Sequence, residues 1–324
     1  MSRTLTLLLP HDPAAVQQRL PALETLLARG ERRCDQPADW QRRLLQLCGV
    51  TTTAQQDLPL GPLCCLGDGG TAADGYWLRA EPVHLVADQD KVYLAARGSE
   101  LSLTAEEAAA LTAEFNALFH EDGWQLWAPA PDRWYLRLPQ APQLRTHAPD
   151  HALGCDVRPL LPQGADGMRM QAALNEIQML FHASGVNARR LAEGRPAVNS
   201  LWLWGGGLLP VLAPLPWERL QGEDCLLRGI AARAGVAGTA LPAGAEAWLG
   251  AGAAGMVLFD VELHPMGALE RDWFAPLLAA LRCGTLMQLE IHLTATACRY
   301  HVDGRGARRW WRRRRPLAMY AGSA

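Results

Sequence analysis

The chain has 324 residues, 49% of them hydrophobic, and a formal net charge of −2. That length and apolar content support a large buried core, arranged as two domains or as one core carrying an insertion. The near-neutral balance gives the whole molecule no electrostatic reason to seek nucleic acid or a membrane, and Lys91, the only lysine, argues against a P-loop lysine or a Schiff-base lysine. No stretch reaches the roughly 18 apolar residues of a transmembrane helix. The eight cysteines form no CxxC pair, and Cys64 and Cys65 are adjacent, too close to staple anything. With no signal-peptide pattern in the first residues, this reads as a cytoplasmic protein with free thiols.

In chain order, Leu5–Leu9 is a short apolar run closed by Pro10, which suits a buried strand. Residues 14–29 carry Val16, Leu20, Leu23, Leu26 and Leu27 at helical spacing and stop at Gly30. Residues 40–48 repeat the pattern weakly, and 50–75 read as loop. Two strands, 83–87 and 92–96, flank the polar Asp88-Gln-Asp-Lys91 as a hairpin. Thr104-Ala-Glu-Glu107 is a capping box that opens a helix running to about His120. Residues 124–127 and 134–138 predict a second hairpin, 139–167 a Pro- and Gly-rich connection, and 168–182 a helix with a wide apolar face. Leu201–Trp204 is a buried-strand candidate ending in Gly205-Gly-Gly207. Beyond it, helices at 223–234 and 268–282 alternate with strands at 256–263, 286–293 and 298–303. Such alternation favours a mainly parallel sheet, and the hairpins in the middle indicate an α+β insertion.

The most informative block runs Leu174-Asn-Glu-Ile-Gln-Met-Leu-Phe-His182, Val186-Asn187-Ala-Arg-Arg190, Gly194-Arg-Pro-Ala-Val-Asn199 and Leu201-Trp-Leu-Trp-Gly-Gly-Gly207. A helix delivers the chain into a polar turn bearing Asn187, Arg189 and Arg190, and a strand then ends in glycines. Guanidinium forks and amides near a glycine-rich strand end suit a phosphate or carboxylate. Equally, those arginines can be solvated and the glycines can simply turn the chain.

The order of this block resembles that of archaeal-type cofactor-independent phosphoglycerate mutases. Asp224-Cys-Leu-Leu-Arg-Gly-Ile-Ala-Ala-Arg-Ala-Gly235, Leu103-Thr-Ala-Glu-Glu-Ala108, Arg133-Trp-Tyr-Leu136 and Thr146-His-Ala-Pro-Asp150 fall in the matching order. A tighter resemblance, covering nearly the whole chain, is to a proteobacterial group of phosphoglycerate mutase-like or RpfE-type regulatory proteins, through Leu78-Arg-Ala-Glu-Pro-Val-His-Leu85. The resemblance implies an α/β fold of the alkaline-phosphatase-like superfamily: a core sheet with helices on both faces (residues 1–78 and 197–324) interrupted by an inserted α+β domain (79–196). It also implies two-metal chemistry with a Ser or Thr that accepts the phosphoryl group, and an anion held by Arg79, Arg133, Asn187, Arg190 and Asn199.

The sequence departs from that pattern where the metals would sit. The first strand runs into Pro10-His-Asp-Pro13 instead of an Asp-Gly pair, and Glu262-Leu-His-Pro-Met-Gly-Ala-Leu269 replaces a cluster of acids and histidine. Thr51, Thr52, Thr53 and Thr71 are nucleophile candidates by type alone. Asp260, Glu262 and His264, which alternate along the expected strand 256–263, could hold one divalent cation, Mn or Mg; the plainer reading is a polar strand end. His147 and His151 are spaced as an i, i+4 pair, but Pro149 argues against a helix there. His84 and His182 read as semi-buried histidines. Arg308-Arg-Trp-Trp-Arg-Arg-Arg-Arg315 can contact phosphates and bases, dock a partner, or be plain solvated surface.

The favoured expectation is therefore a non-catalytic relative of the mutases that binds a small phosphorylated metabolite or a protein partner, with a possible regulatory role and no membrane span. A metal-dependent mutase or phosphatase with an altered site is the first alternative. A nucleic-acid-associated regulator using the C-terminal Arg/Trp segment is the second, with nucleic acid disfavoured by the overall charge.

Overall fold

The computed structural model describes residues 3–53, 56–252, 254–260 and 262–320. Along the chain these form β1 (Thr4–Leu9), α1 (Pro21–Arg29), β2 (Glu31–Cys34), α2 (Trp40–Leu47), α3 (Leu60–Gly67), β3 (Tyr76–Asp88), β4 (Lys91–Arg97), α4 (Ala105–Leu118), β5 (Gln125–Ala130) and β6 (Arg133–Leu138). They continue as α5 (Gly167–Ala183), α6 (Gly185–Ala192), β7 (Ser200–Gly207), β8 (Arg219–Gln221), α7 (Cys225–Ala234), β9 (Ala237–Thr239), α8 (Ala245–Gly250), β10 (Gly255–Leu258), α9 (Met266–Leu269), α10 (Ala275–Cys283), β11 (Gln288–Leu293) and β12 (Cys298–Asp303).

The chain divides into two compact units, residues 1–51 with 212–324 and residues 52–211. The inserted unit is wider than the 79–196 read from sequence, because β3 begins at Tyr76 and pairs with β7 across residues 77–83. Both strands thus belong to the insertion's sheet.

The first unit holds a seven-stranded sheet in the order β2-β12-β11-β1-β10-β8-β9. Strands β11, β1, β10, β8 and β9 run parallel, and β12 and β2 close one side antiparallel. β1 is central and buried from Leu5 to Leu9, apart from a trace at Thr6. That is why it reads as an unbroken apolar run rather than an alternation. Leu5, Leu7 and Leu9 face a core shared with Leu23 and Leu26 of α1 and with Trp273, Phe274 and Leu277. On the opposite side of β1, Thr6 Oγ1 accepts from Trp217 Nε1 at 3.0 Å.

Several local expectations need correction. α1 starts only at Pro21, where proline sits at the first helical position, and Pro13–Ala15 is a separate 3-10 turn. α3 lies in a stretch read as loop: its Gly61 and Pro62 hide a helix whose glycine packs against β3, and a Cβ there would come 2.5 Å from the Trp77 carbonyl oxygen. β2, Glu-Arg-Arg-Cys, was invisible because an exposed edge strand carries no apolar alternation. The expected strand 256–263 ends at Leu258 and becomes a turn; Val261 lies outside the described residues. α9 and α10 are joined by a π-helical turn, Glu270–Phe274. The cysteines are not all thiols: Cys34 and Cys298, opposed in the β2–β12 register, form a disulfide, and the other six are thiols.

In the inserted unit, β3 pairs antiparallel with β6, β7 and β4 along its length, and β5 flanks β6. One face of this sheet packs Trp134, Leu136 and Leu138 against Phe115 of α4 and Ile177 and Phe181 of α5. Each fully buried side chain of this size stabilises the fold by roughly 1.5–3 kcal/mol. The capping box at Thr104 and Glu107 forms as expected. No helix among the described residues is long and apolar enough to cross a membrane.

Candidate functional site

In open parallel sheets, ligands bind beyond the carboxyl ends of the strands. At the end of β1, His11 is buried, and its Nε2 donates to the His264 carbonyl at 3.0 Å. Burial, in the first place, holds its imidazole below the usual histidine range. Asp12 caps the 3-10 turn by accepting from Ala14 N at 2.9 Å. Beyond β10, Asp260 Oδ1 accepts from Glu262 N at 2.8 Å and Leu263 N at 3.1 Å, while His264 Nδ1 faces Asp260 N at 3.1 Å. Asp260, Glu262 and His264 therefore close a turn on backbone groups and do not share a strand face. Among the described residues, no three His, Cys, Asp or Glu side chains are placed to hold a metal ion. The two-metal chemistry implied by the resemblance does not fit the donors at these strand ends.

The five expected anion ligands are not gathered on one point. Asn187, 2% exposed, donates to Phe181 O at 2.8 Å and Val198 O at 2.7 Å and accepts from Val198 N at 2.8 Å. Arg190, fully buried at the foot of α6, donates to Pro196 O, Glu107 Oε2 and Leu101 O at 3.0, 2.7 and 2.5 Å. Asn199 clasps both backbone groups of Leu85, at 2.8 and 2.7 Å. These three polar side chains tie secondary elements together. Glu107 also takes Arg195. Its carboxyl is resisted by burial but held below the usual range by Arg195, Thr104 and the Arg190 charge.

Arg79 and Arg133 belong to a separate cluster. Arg133 Nε and the Tyr135 hydroxyl both donate to Asp68 Oδ2, at 3.0 and 2.6 Å. Arg79 pairs with Glu81 at 3.0 Å, and its guanidinium lies over Tyr135 and Trp204, 5.4 and 5.6 Å from the ring centroids. Two cations and two carboxylates balance there. Of the three arginines, Arg133 is the most exposed at 40%, against 11% for Arg79.

The glycine-ended strand does border a concave surface. A groove of about 620 Å3 in the inserted unit is lined by Thr52, Gln56, Asp57, Tyr76, Gln143, Arg145, Gly206 and Gly207 among others. Its size falls within the range of small-molecule sites. The glycines are required by close approach: a Cβ on Gly206 would lie 2.4 Å from the Tyr76 hydroxyl oxygen, and one on Gly207 2.7 Å from Pro59 Cβ. Burial, helped by the Asp57 charge, pushes the Tyr76 hydroxyl up to about 12, so it stays a neutral donor. Asp57 is engaged by Thr146, through its backbone N–H at 3.1 and 3.2 Å and its hydroxyl, and Thr146 Oγ1 accepts from Gly205 N at 3.2 Å. Arg145 is exposed at the rim. Sequence reasoning missed it because it stands in the Pro-rich connection, far from the glycines in the chain. Of the threonines singled out by type, Thr52 lines the groove; Thr51 and Thr53 flank it in sequence and Thr71 follows α3.

The histidines settle into structural places. His84 Nδ1 meets Ala197 O at 2.8 Å and His147 Nδ1 meets Leu160 O at 3.2 Å. The His147 and His151 rings meet edge-on, 6.5 Å apart. His182 is exposed, not semi-buried as expected, because it falls on the outer face of α5.

No protein-family profile matches the chain. It is 30% identical over 94 residues to the 2,3-bisphosphoglycerate-independent phosphoglycerate mutase of Methanosarcina barkeri, covering 27% of this chain and 23% of that protein. It is 33% identical over 98 residues to a probable mutase of the same kind from Geobacter sulfurreducens, covering 28% and 24%. The matched stretches thus span about a quarter of the length of these relatives. The solved cofactor-independent phosphoglycerate mutase of Thermoplasma acidophilum superposes with a TM-score of 0.52 at 15% identity, over 100% of this chain and 96% of that one. A solved protein of Pyrococcus horikoshii gives 0.57 at 14% identity, over 93% and 87%. The fold is similar to that of the solved cofactor-independent phosphoglycerate mutase, and the sequence similarity to such mutases is confined to somewhat over a quarter of the chain.

Proposed function

We propose that this chain uses the phosphoglycerate mutase fold without two-metal phosphoryl transfer, as a non-catalytic binding protein for a small phosphorylated metabolite. The observation that carries the reading is the use of the strand-end carboxylates. Asp12 and Asp260 each point back to cap their own turn, and no three His, Cys, Asp or Glu side chains among the described residues are placed to hold a metal ion. A two-metal clamp needs several such oxygens and imidazoles turned toward one point.

The anion is assigned to the groove of the inserted unit. Arg145 offers a forked guanidinium, and Gln56, Gln143 and Thr52 offer neutral donors around the close-packed glycines. Arg133, the most exposed of the three arginines among the five expected anion ligands, is held by Asp68 and does not line the groove.

Calorimetric titration of the full chain with 3-phosphoglycerate and with inorganic phosphate tests the reading, alongside a mutase assay with and without Mn2+. Expected are saturable binding of a phosphorylated compound, loss of about tenfold in affinity or more on Arg145→Ala, and no isomerisation. Mn2+-dependent turnover would overturn the non-catalytic half. Absence of binding by any phosphorylated metabolite, or binding untouched by Arg145→Ala, would overturn the groove.

A further inference from the structure

The arginine–tryptophan run lies in the first unit and plays no part in the groove. Sequence shows it as eight residues; the fold makes it part of a larger surface. After β12 the chain passes through a 3-10 turn, Gly306–Arg308, and then exposes Trp310, Trp311 and Arg312 to Arg315. Three bonds draw distant segments against it. Arg308 donates to the Arg282 carbonyl at the end of α10, Arg29 donates to the Ala307 carbonyl, and Arg312 donates to the Gly30 carbonyl, at 2.5, 2.5 and 2.9 Å. Arg32 and Arg33 follow on β2, an edge strand with all four residues exposed. Arg29, Arg282, Arg305 and the run itself therefore form one basic surface drawn from three regions of the chain.

Acidic compensation there is limited: Glu31 lies 3.9 Å from Arg309, Asp303 is engaged by the Gly306 N–H, and the Glu24 carboxylate, paired with Arg19, also feels the Arg314 charge. Crowding shows on Arg29, whose guanidinium is pushed below its usual range by burial and then by the neighbouring Arg282. A chain of net charge −2 that concentrates cations in this way offers a local complement to a polyanion.

The tryptophans narrow the choice of polyanion. Trp310 and Trp311 are 78% and 63% exposed, with rings 6.1 Å apart and nearly perpendicular. Residues 305–316 contain no Leu, Ile, Val, Met or Phe beside them, and of the residues 317–320 that follow, Leu317 is buried and Met319 alone offers an exposed aliphatic side chain, little area for lipid insertion. Open indole faces among arginines suit unstacked bases on a phosphate backbone. We infer that this surface binds single-stranded nucleic acid, with the arginines on phosphates and Trp310 and Trp311 stacked on bases.

Fluorescence anisotropy of a labelled oligothymidylate of about 20 nucleotides, titrated with the full chain across a series of salt concentrations, is the test. Affinity is expected to fall with salt at a log–log slope of about −3, as for roughly four phosphate contacts on a single strand. The double variant Trp310→Ala/Trp311→Ala should lose about tenfold or more. Arg313→Ala/Arg314→Ala/Arg315→Ala should flatten the slope by about 2. These side chains are exposed, and unchanged circular dichroism would show that the variants fold. Absence of saturable binding at low salt, binding indifferent to both variants, or tighter binding to phosphatidylserine vesicles than to the oligonucleotide would overturn the inference.

Discussion

The turn around Asp260 and the knot around Asn187 and Arg190 both direct polar side chains onto backbone groups, but at different depths. Asp260 closes an exposed turn that water could satisfy as well. Asn187 and Arg190 are 2% and 0% exposed and satisfy groups that are buried or partly buried. The difference teaches that a polar residue can look functional for opposite reasons: a turn needs a nearby acceptor, whereas a buried junction needs every donor matched. Neither demand requires a ligand.

The largest effect is expected where the contrast is strongest. Arg190→Met leaves Glu107 without its buried partner and strips three acceptors, and should cost about 3–5 kcal/mol in urea unfolding. A loss below about 1 kcal/mol would erase the distinction between the two regions. Asn187→Leu orphans both backbone groups of Val198 and removes one of the two donors to Phe181 O, which the Ser184 N–H still serves, and should cost about 2–3 kcal/mol by the same measurement.

The pH dependence sharpens the same contrast. Glu107 is held below its ordinary value of 4.5 in the folded chain. Its contribution is therefore complete above that value and is lost as pH falls through the lower folded value. The stability gap between the native chain and Glu107→Gln should be constant at neutral pH and close on acidification below 4.5. A gap that widened on acidification would show that burial outweighs the arginines. The smallest effect belongs to the turn: Asp260→Ala should cost about 0.5–1 kcal/mol and leave Mn2+ titrations unchanged. Stoichiometric Mn2+ binding abolished by this variant would turn the Asp260 region back into a metal site.

Much of the fold could be read in advance wherever one-dimensional pattern and burial agree. β1, β12, α4 with its capping box, and α5 announce themselves by apolar runs, alternation or helical spacing. α3 and β2 did not, because tertiary contact decides them: α3 exists through glycine packing on β3, and β2 through pairing with β12. The site was less legible. Arg190 and Asn199 carry the right chemistry for an anion, but hydrogen-bonding capacity is consumed in three dimensions, and a sequence shows only the inventory. Arg145 carries no local pattern and meets Gly206 and Gly207 only through folding.

The bond between Cys34 and Cys298 encloses every residue of the inserted unit within its covalent loop. A protease that nicks an exposed connection between residues 52 and 211 would release neither half of the oxidised chain. The cut product would migrate as one species on a denaturing gel and separate into two only after a thiol reductant, so apparent resistance to proteolysis would depend on how the gel is run.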